Sequence, residues 1–152
     1  IFMFYSPYPT SFKRFVSESF APTKISWSLD NRTSTFRIVG EQNSLRIECR
    51  IPGADANPYL AFAASIAAGI NGIENKISPP EITKGDSYTN TSLISCPDNI
   101  DKGLKFFKDS KFISDHLNQE VKDHYLHFFK TEKLAFERIV TDWEKNRYFE
   151  RI

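Results

Sequence analysis

Histidine, cysteine and methionine are scarce in this chain: three, two and one among 152 residues. Two of the three histidines, His124 and His127, stand three apart as on one helix face. No further ligand is spaced to complete a zinc site, so His116, His124 and His127 are expected to pack or face solvent. Two cysteines, Cys49 and Cys96, are too few for a disulfide framework, and a reduced, cytoplasmic protein is expected. Neither a G-x-G-x-x-G run nor a phosphate-binding G-x-x-x-x-G-K-[ST] loop occurs, and no Ser-His-Asp or Cys-His arrangement stands out. The net charge is only +1, so no global field favours nucleic acid or an anionic membrane, and neither is expected as a partner. Any anion site must be local. No stretch approaches the roughly 20 apolar residues of a membrane span. The longest, Tyr59 to Ile73, is interrupted by Ser65, Gly69, Asn71 and Gly72. The opening IFMFY has no basic segment before it, as a signal peptide would. Position 1 is not Met, so the chain reads as a piece of a longer protein, with Ile1 to Tyr5 expected as a strand cut from its sheet.

What is abundant is phenylalanine, with 14 copies, which points to an aromatic core or interface. Up to about Ile51 the chain reads as strands and loops. ISWSL (Ile25 to Leu29) and Thr33 to Val39 are short strands, and GEQN (residues 40 to 43) is a turn. In SLRIECR, Leu45, Ile47 and Cys49 alternate with Arg46, Glu48 and Arg50. That alternation is a half-buried strand. An antiparallel hairpin closed over residues 40 to 43 sets Val39 opposite Ser44, Arg37 opposite Arg46 and Thr35 opposite Glu48. Phe36, Ile38, Leu45, Ile47 and Cys49 then share a face expected to be core. Thr33, Thr35, Arg37, Arg46, Glu48 and Arg50 share the other. Three arginines around one glutamate suit either a solvated surface or an anion-binding face. Arginine's planar fork matches carboxylates and phosphates better than lysine does.

Asn57 before Pro58 is a helix start, and the helix is expected to run to about Ile70, apolar nearly all round and buried. Ser78 to Asn99 is rich in Pro, Ser, Thr, Asn and Gly and reads as a long loop. Helices are expected over Ile100 to Asp109 and about Asn118 to Val140. Thr141 with Glu144 has capping-box spacing and opens a last one. The fold class expected is α+β: antiparallel strands forming part of an active-site sheet, then a helical C-terminal half.

SFKRF, APTKISWSLDNRT, RIECR and PGADANPYLAFAASIAAGINGIENKI, in that order, resemble the C-terminal part of the glutamine synthetase catalytic domain. The match is close from about Ser11 to Ile77 and looser beyond. The ending VTDWEKNRYFERI resembles branches whose nucleophile is an organic amine. The resemblance implies an ATP-dependent ligase that forms γ-glutamyl phosphate from glutamate and lets ammonia or an amine attack it, assisted by Mg2+ or Mn2+. It implies that Arg14 and Arg50 bind the substrate carboxylate, Arg32 and Arg37 meet the phosphates in transfer, Arg46 contacts the nucleotide and Glu48 ligates a metal. It also implies a homo-oligomeric ring with active sites between neighbouring subunits. Two positions depart from the pattern. Thr10 stands where the family usually has Asn. Phe20, before Ala21-Pro22, stands where ammonia-using members carry a glutamate. An apolar side chain there suits a substituted amine, as in the γ-glutamyl-polyamine/amine ligases. An ammonia-using glutamine synthetase and a non-enzymatic relative are the alternatives. The family's N-terminal domain and the first half of its catalytic domain are not among these residues, so residues 1–152 alone are expected to be inactive.

Overall fold

In the computed structural model, residues 1–151 are described. The first turn, α1 (Phe2–Tyr5), is helical, not the expected strand. The reason lies in its side chains. Met3, Phe4 and Tyr5 are all buried and point into one helical cluster. That cluster is built with α3 (Ile100–Asp109), α4 (Lys111–Leu117) and α5 (Gln119–Glu137). Phe4 meets Phe107 edge-on at 5.2 Å between centroids, and Phe107 meets Phe129 edge-on at 5.3 Å. Edge-to-face contact of this kind adds to the burial of large rings. A 3-10 turn, Pro9–Arg14, brings Phe12 to the same cluster. Gly103 lets α3 approach, since a Cβ there would lie 2.6 Å from Met3 Sδ. The expected single helix from Asn118 is preceded by α4, and Asn118, at φ 77°, separates the two.

The sheet has three strands, β1 (Trp27–Leu29), β2 (Phe36–Val39) and β3 (Arg46–Cys49), in that order. The fold is α+β, but the sheet is mixed, because β1 runs parallel to β2. The hairpin β2–β3 is antiparallel, in a register two residues from the expected one: Arg37 pairs with Glu48, Ile38 with Ile47 and Val39 with Arg46. Two features of the turn account for the slip. Gln42–Ser44 forms a 3-10 turn that lengthens the loop. Gly40, at φ 84°, reverses the chain where a Cβ would sit 2.2 Å from the Ser44 carbonyl oxygen. A shift of two keeps every side chain on its face. It replaces the Arg37/Arg46 repulsion with an Arg37/Glu48 attraction.

Helix α2 (Pro58–Glu74) starts where expected, with the Asn57 side chain accepting from the N–H groups of Tyr59 and Leu60. It runs one turn further and is not buried all round. Ala61 and Ala64 face the core, while Tyr59 is 84% exposed and Phe62, Ile66 and Ile73 are also exposed. The apolar face of the hairpin is likewise open rather than core, with Ile47 70% exposed and Leu45 and Leu29 exposed beside it. Only Cys49 packs against the cluster.

Residues 78–99 form no helix or multi-residue strand, as expected, yet they are tied to β1 and its approach. Thr83 N–H donates to the Trp27 carbonyl, Ile25 N–H to Ile94, and Cys96 N–H to Thr23. Ser28 Oγ donates to the Thr83 carbonyl at 2.7 Å. The last helix, α6 (Asp142–Tyr148), opens on the expected Thr141/Glu144 capping box. No described helix is long and apolar enough to cross a membrane.

Candidate active site

Arg37 in β2 and Glu48 directly opposite in β3 leave the sheet on one face. Arg37 Nη1 donates to Glu48 Oε2 at 2.8 Å. Asp30, just past β1, accepts from Arg37 Nε at 3.0 Å and from Nη2. Arg50 approaches Glu48 from the other side, with Nε 3.6 Å from Oε1. The Arg37 hydrogen bond holds the Glu48 carboxyl below the ordinary carboxylate range against the opposing effect of desolvation, and the charges of Arg37, Arg50 and Arg32 add to it. Glu48 is therefore an anion at neutral pH, surrounded by cations.

The remaining expected site residues lie at the edges of this group. Arg32 is exposed in the turn between β1 and β2, close enough for its charge to act on Glu48. Arg14 ends the 3-10 turn Pro9–Arg14 and donates from Nη1 to the Ile51 carbonyl at 2.9 Å, one residue from Arg50. Arg46 is exposed at the turn end of β3 and bonds only locally, Nη1 to the Ser44 carbonyl at 3.2 Å. The structure thus gathers Arg37, Glu48 and Arg50 tightly, Arg32 loosely, and leaves Arg14 and Arg46 engaged with backbone carbonyls. Asp30 was missed by sequence reasoning. Its signal was present, since LDNRT places it at the end of a strand, but the parallel β1–β2 pairing that brings it to Arg37 was not legible.

Arg50 has two further features. Its Nη2 donates to the Phe20 carbonyl at 2.7 Å. Its Nη1 is buried with no hydrogen-bond partner. Buried unpaired donors are uncommon in folded proteins. Phe20 itself is 62% exposed in a left-handed conformation, φ 60°.

Glu48 offers one ligand to a hard cation, which takes six or more oxygens. Among the described residues no three of His, Cys, Asp and Glu stand together as a metal site, so the donors here do not hold a metal by themselves. Nor are the thiols nucleophiles at neutral pH. Burial pushes Cys96 up to about 11 and raises Cys49 as well. A cavity of about 230 Å3, lined by Met3, Tyr8, Asp55, Leu60, Tyr125 and Phe128 among others, shares no residue with the arginine face.

The family model described as "Glutamine synthetase, catalytic domain" matches residues 1–148. The chain belongs to the glutamine synthetase catalytic-domain family. It is 41% identical over 150 residues to the gamma-glutamylethanolamide synthetase of Streptomyces coelicolor, covering 99% of this chain and 32% of that protein. It is 37% identical over 151 residues to the glutamine synthetase of Methanosarcina mazei, covering 94% of this chain and 34% of that protein. A glutamate–isopropylamine ligase from a Pseudomonas species is 34% identical over 151 residues, covering 97% and 33%. Among solved structures, ligand-free GmaS superposes with a TM-score of 0.82 at 26% identity, over 98% of this chain and 34% of that one. A GmaS complex with ADP gives 0.81, over 97% of this chain and 36% of that one. The chain spans about a third of the length of the curated relatives it matches. Both glutamine synthetases and amine ligases are thus among the glutamine synthetase family members it resembles.

Proposed function

We propose that residues 1–152 are the C-terminal portion of a glutamine synthetase-type catalytic domain in a cytoplasmic, ATP-dependent ligase that joins an amine to the γ-carboxyl of glutamate. The observation that carries this reading is the arginine face around an ionised Glu48, with the Phe20 loop fastened to it through Arg50. In the reaction, a glutamate γ-carboxylate oxygen attacks the γ-phosphorus of ATP and ADP leaves. The amine nitrogen then attacks the acyl carbon, inorganic phosphate departs with the bonding pair, and the nitrogen gives up a proton. Charge develops on phosphoryl oxygens in the first step and on the acyl oxygen in the second. Fixed guanidinium donors stabilise such charge most where water is excluded.

The roles are those the family resemblance implies, and the positions of these residues are compatible with them. Arg37, locked between Asp30 and Glu48, presents a preorganised cation, and Arg32, whose charge reaches Glu48, is by the resemblance the second contact for the transferring phosphoryl group. Arg50 keeps a buried unpaired nitrogen, as a carboxylate-binding arginine would, and Arg14 lies next to it through Ile51. Arg46, exposed at the strand end, is the nucleotide contact. Glu48 is one ligand of a Mg2+ or Mn2+ site whose other donors lie outside these residues. Bound there, the metal would neutralise phosphate charge. The ADP complex of GmaS is consistent with nucleotide use. The open apolar faces of α2 and of the hairpin are what a larger domain would cover. A homo-oligomeric ring follows from the family resemblance.

An amine is favoured over ammonia as acceptor because Phe20, at the position that the resemblance assigns to the acceptor side, carries an exposed ring rather than a carboxylate. Ammonium needs an anionic cage, whereas an alkyl amine gains from apolar contact. Phosphate release by the full-length ligase, with saturating ATP and glutamate, should be faster with ethanolamine, isopropylamine or putrescine than with ammonia. Rapid turnover with ammonia and none with the amines would favour the glutamine synthetase reading, which the Methanosarcina relative represents.

A further inference from the structure

Phe20 sits in a loop held partly by its own Ser19 and partly by side chains from outside it. Residues Val16 to Ala21 form no regular element, and both Glu18 and Phe20 are left-handed, at φ 65° and 60°. Left-handed backbone at non-glycine residues persists only where the surroundings fix it. Inside the loop, Ser19 Oγ lies 2.7 Å from the Arg14 and Val16 carbonyls and accepts from Ala21 N–H at 3.3 Å. The two peptide carbonyls that follow are each held from outside. Arg50 donates to the Phe20 carbonyl at 2.7 Å, and Tyr88 Oη donates to the Ala21 carbonyl at 3.0 Å.

Tyr88 comes from the long segment after α2, more than sixty residues away in sequence. It has a firm base there. Ser87, next to it, is buried, with its N–H donating to Thr33 Oγ1 at 2.9 Å and its Oγ 3.0 Å from Ser34 Oγ. Asn31 Nδ2 donates to the Gly85 carbonyl at 2.7 Å, and Asp86 Oδ1 accepts from Tyr88 N–H at 2.9 Å. These contacts tie Tyr88 to the turn that carries Arg32, while its hydroxyl reaches the loop that carries Phe20. Burial keeps the phenol above its ordinary pKa, so the hydroxyl remains a donor through the neutral range.

We propose that Tyr88 is a positioning residue for the acceptor amine: its hydroxyl on the Ala21 carbonyl, with Arg50 on the Phe20 carbonyl, sets where the Phe20 ring stands. This rests on Phe20 facing the acceptor. Tyr88 itself touches no reacting group. It acts through the backbone of Phe20 and Ala21, and its removal lets the ring wander from the amine. Because one hydrogen bond is lost, the expected change is several-fold rather than total.

The test is steady-state phosphate release by the full-length ligase, with amine, glutamate and ATP varied in turn. Tyr88→Phe should raise KM for the amine about three- to tenfold and leave KM for glutamate and ATP within about twofold. In a Phe20→Ala background, Tyr88→Phe should add less than about twofold, because the ring it positions is gone. A general structural role would shift all three KM values together, or cost the same with and without Phe20, and either result overturns the proposal. If Phe20→Ala changes amine KM while Tyr88→Phe does not, the role of Tyr88 fails and the acceptor reading stands. If Phe20→Ala alters neither amine KM nor the preference for amine over ammonia, the acceptor reading itself fails.

Discussion

The helical cluster and the sheet hold themselves together in different ways. Around Phe4, Phe107 and Phe129 the rings meet edge to face and are almost wholly buried, so the centre of this region is closed, although Phe106 and Leu134 on its outer side are exposed. The sheet is fixed by backbone ladders, by ties from residues 78–99 and by the Asp30–Arg37–Glu48–Arg50 chain of charges. It leaves its apolar face and the outer face of α2 bare. One region buries its central rings within these residues. The other leaves apolar surface uncovered, and it is the one that holds the candidate site.

Substitutions can break that contrast. The largest effect is expected at the centre of the cluster. Phe107→Ala should lower unfolding stability by about 3–5 kcal/mol, read as a fall in the denaturant midpoint. Ile47→Ser separates two contexts. In residues 1–152 alone it should change stability by less than about 0.5 kcal/mol, because Ile47 is exposed. In the full-length ligase it should cost about 1.5–3 kcal/mol if that face is covered. Equal effects in both would mean that the sheet's apolar face stays bare. Asn57→Ala removes the acceptor for the Tyr59 and Leu60 N–H groups and should cost about 1 kcal/mol, measured by the same unfolding curves.

The features legible in the sequence were local ones. Asn57-Pro58 marked the start of α2, Thr141/Glu144 marked α6, and the alternation in SLRIECR sorted the hairpin's two faces correctly. Register depended on how many residues the turn consumes, and the 3-10 turn Gln42–Ser44 is not evident from GEQN. The parallel pairing of β1 with β2 joins strands by contacts that no periodicity reports, so Asp30 at Arg37 went unseen. IFMFY has the residues of a buried strand and became a helical turn because its rings found α3 and α5. Apolar character predicted burial for α2 and the hairpin, whereas burial also needs a partner surface. Of the site, the residue types and their shared face were legible. Which arginine meets Glu48, and the hold of Arg50 and Tyr88 on the Phe20 loop, depended on tertiary contacts.

The charged face of the sheet as the phosphoryl-transfer wall is tested most directly by Arg37→Lys in the full-length ligase. Lysine keeps the charge but not the fork that bridges Asp30 and Glu48. Phosphate release dependent on ATP, glutamate and amine should fall about 100-fold or more, while the lost ion pairs should lower the unfolding midpoint only modestly. Turnover within about threefold of the unsubstituted enzyme would contradict a role for this face in phosphoryl transfer.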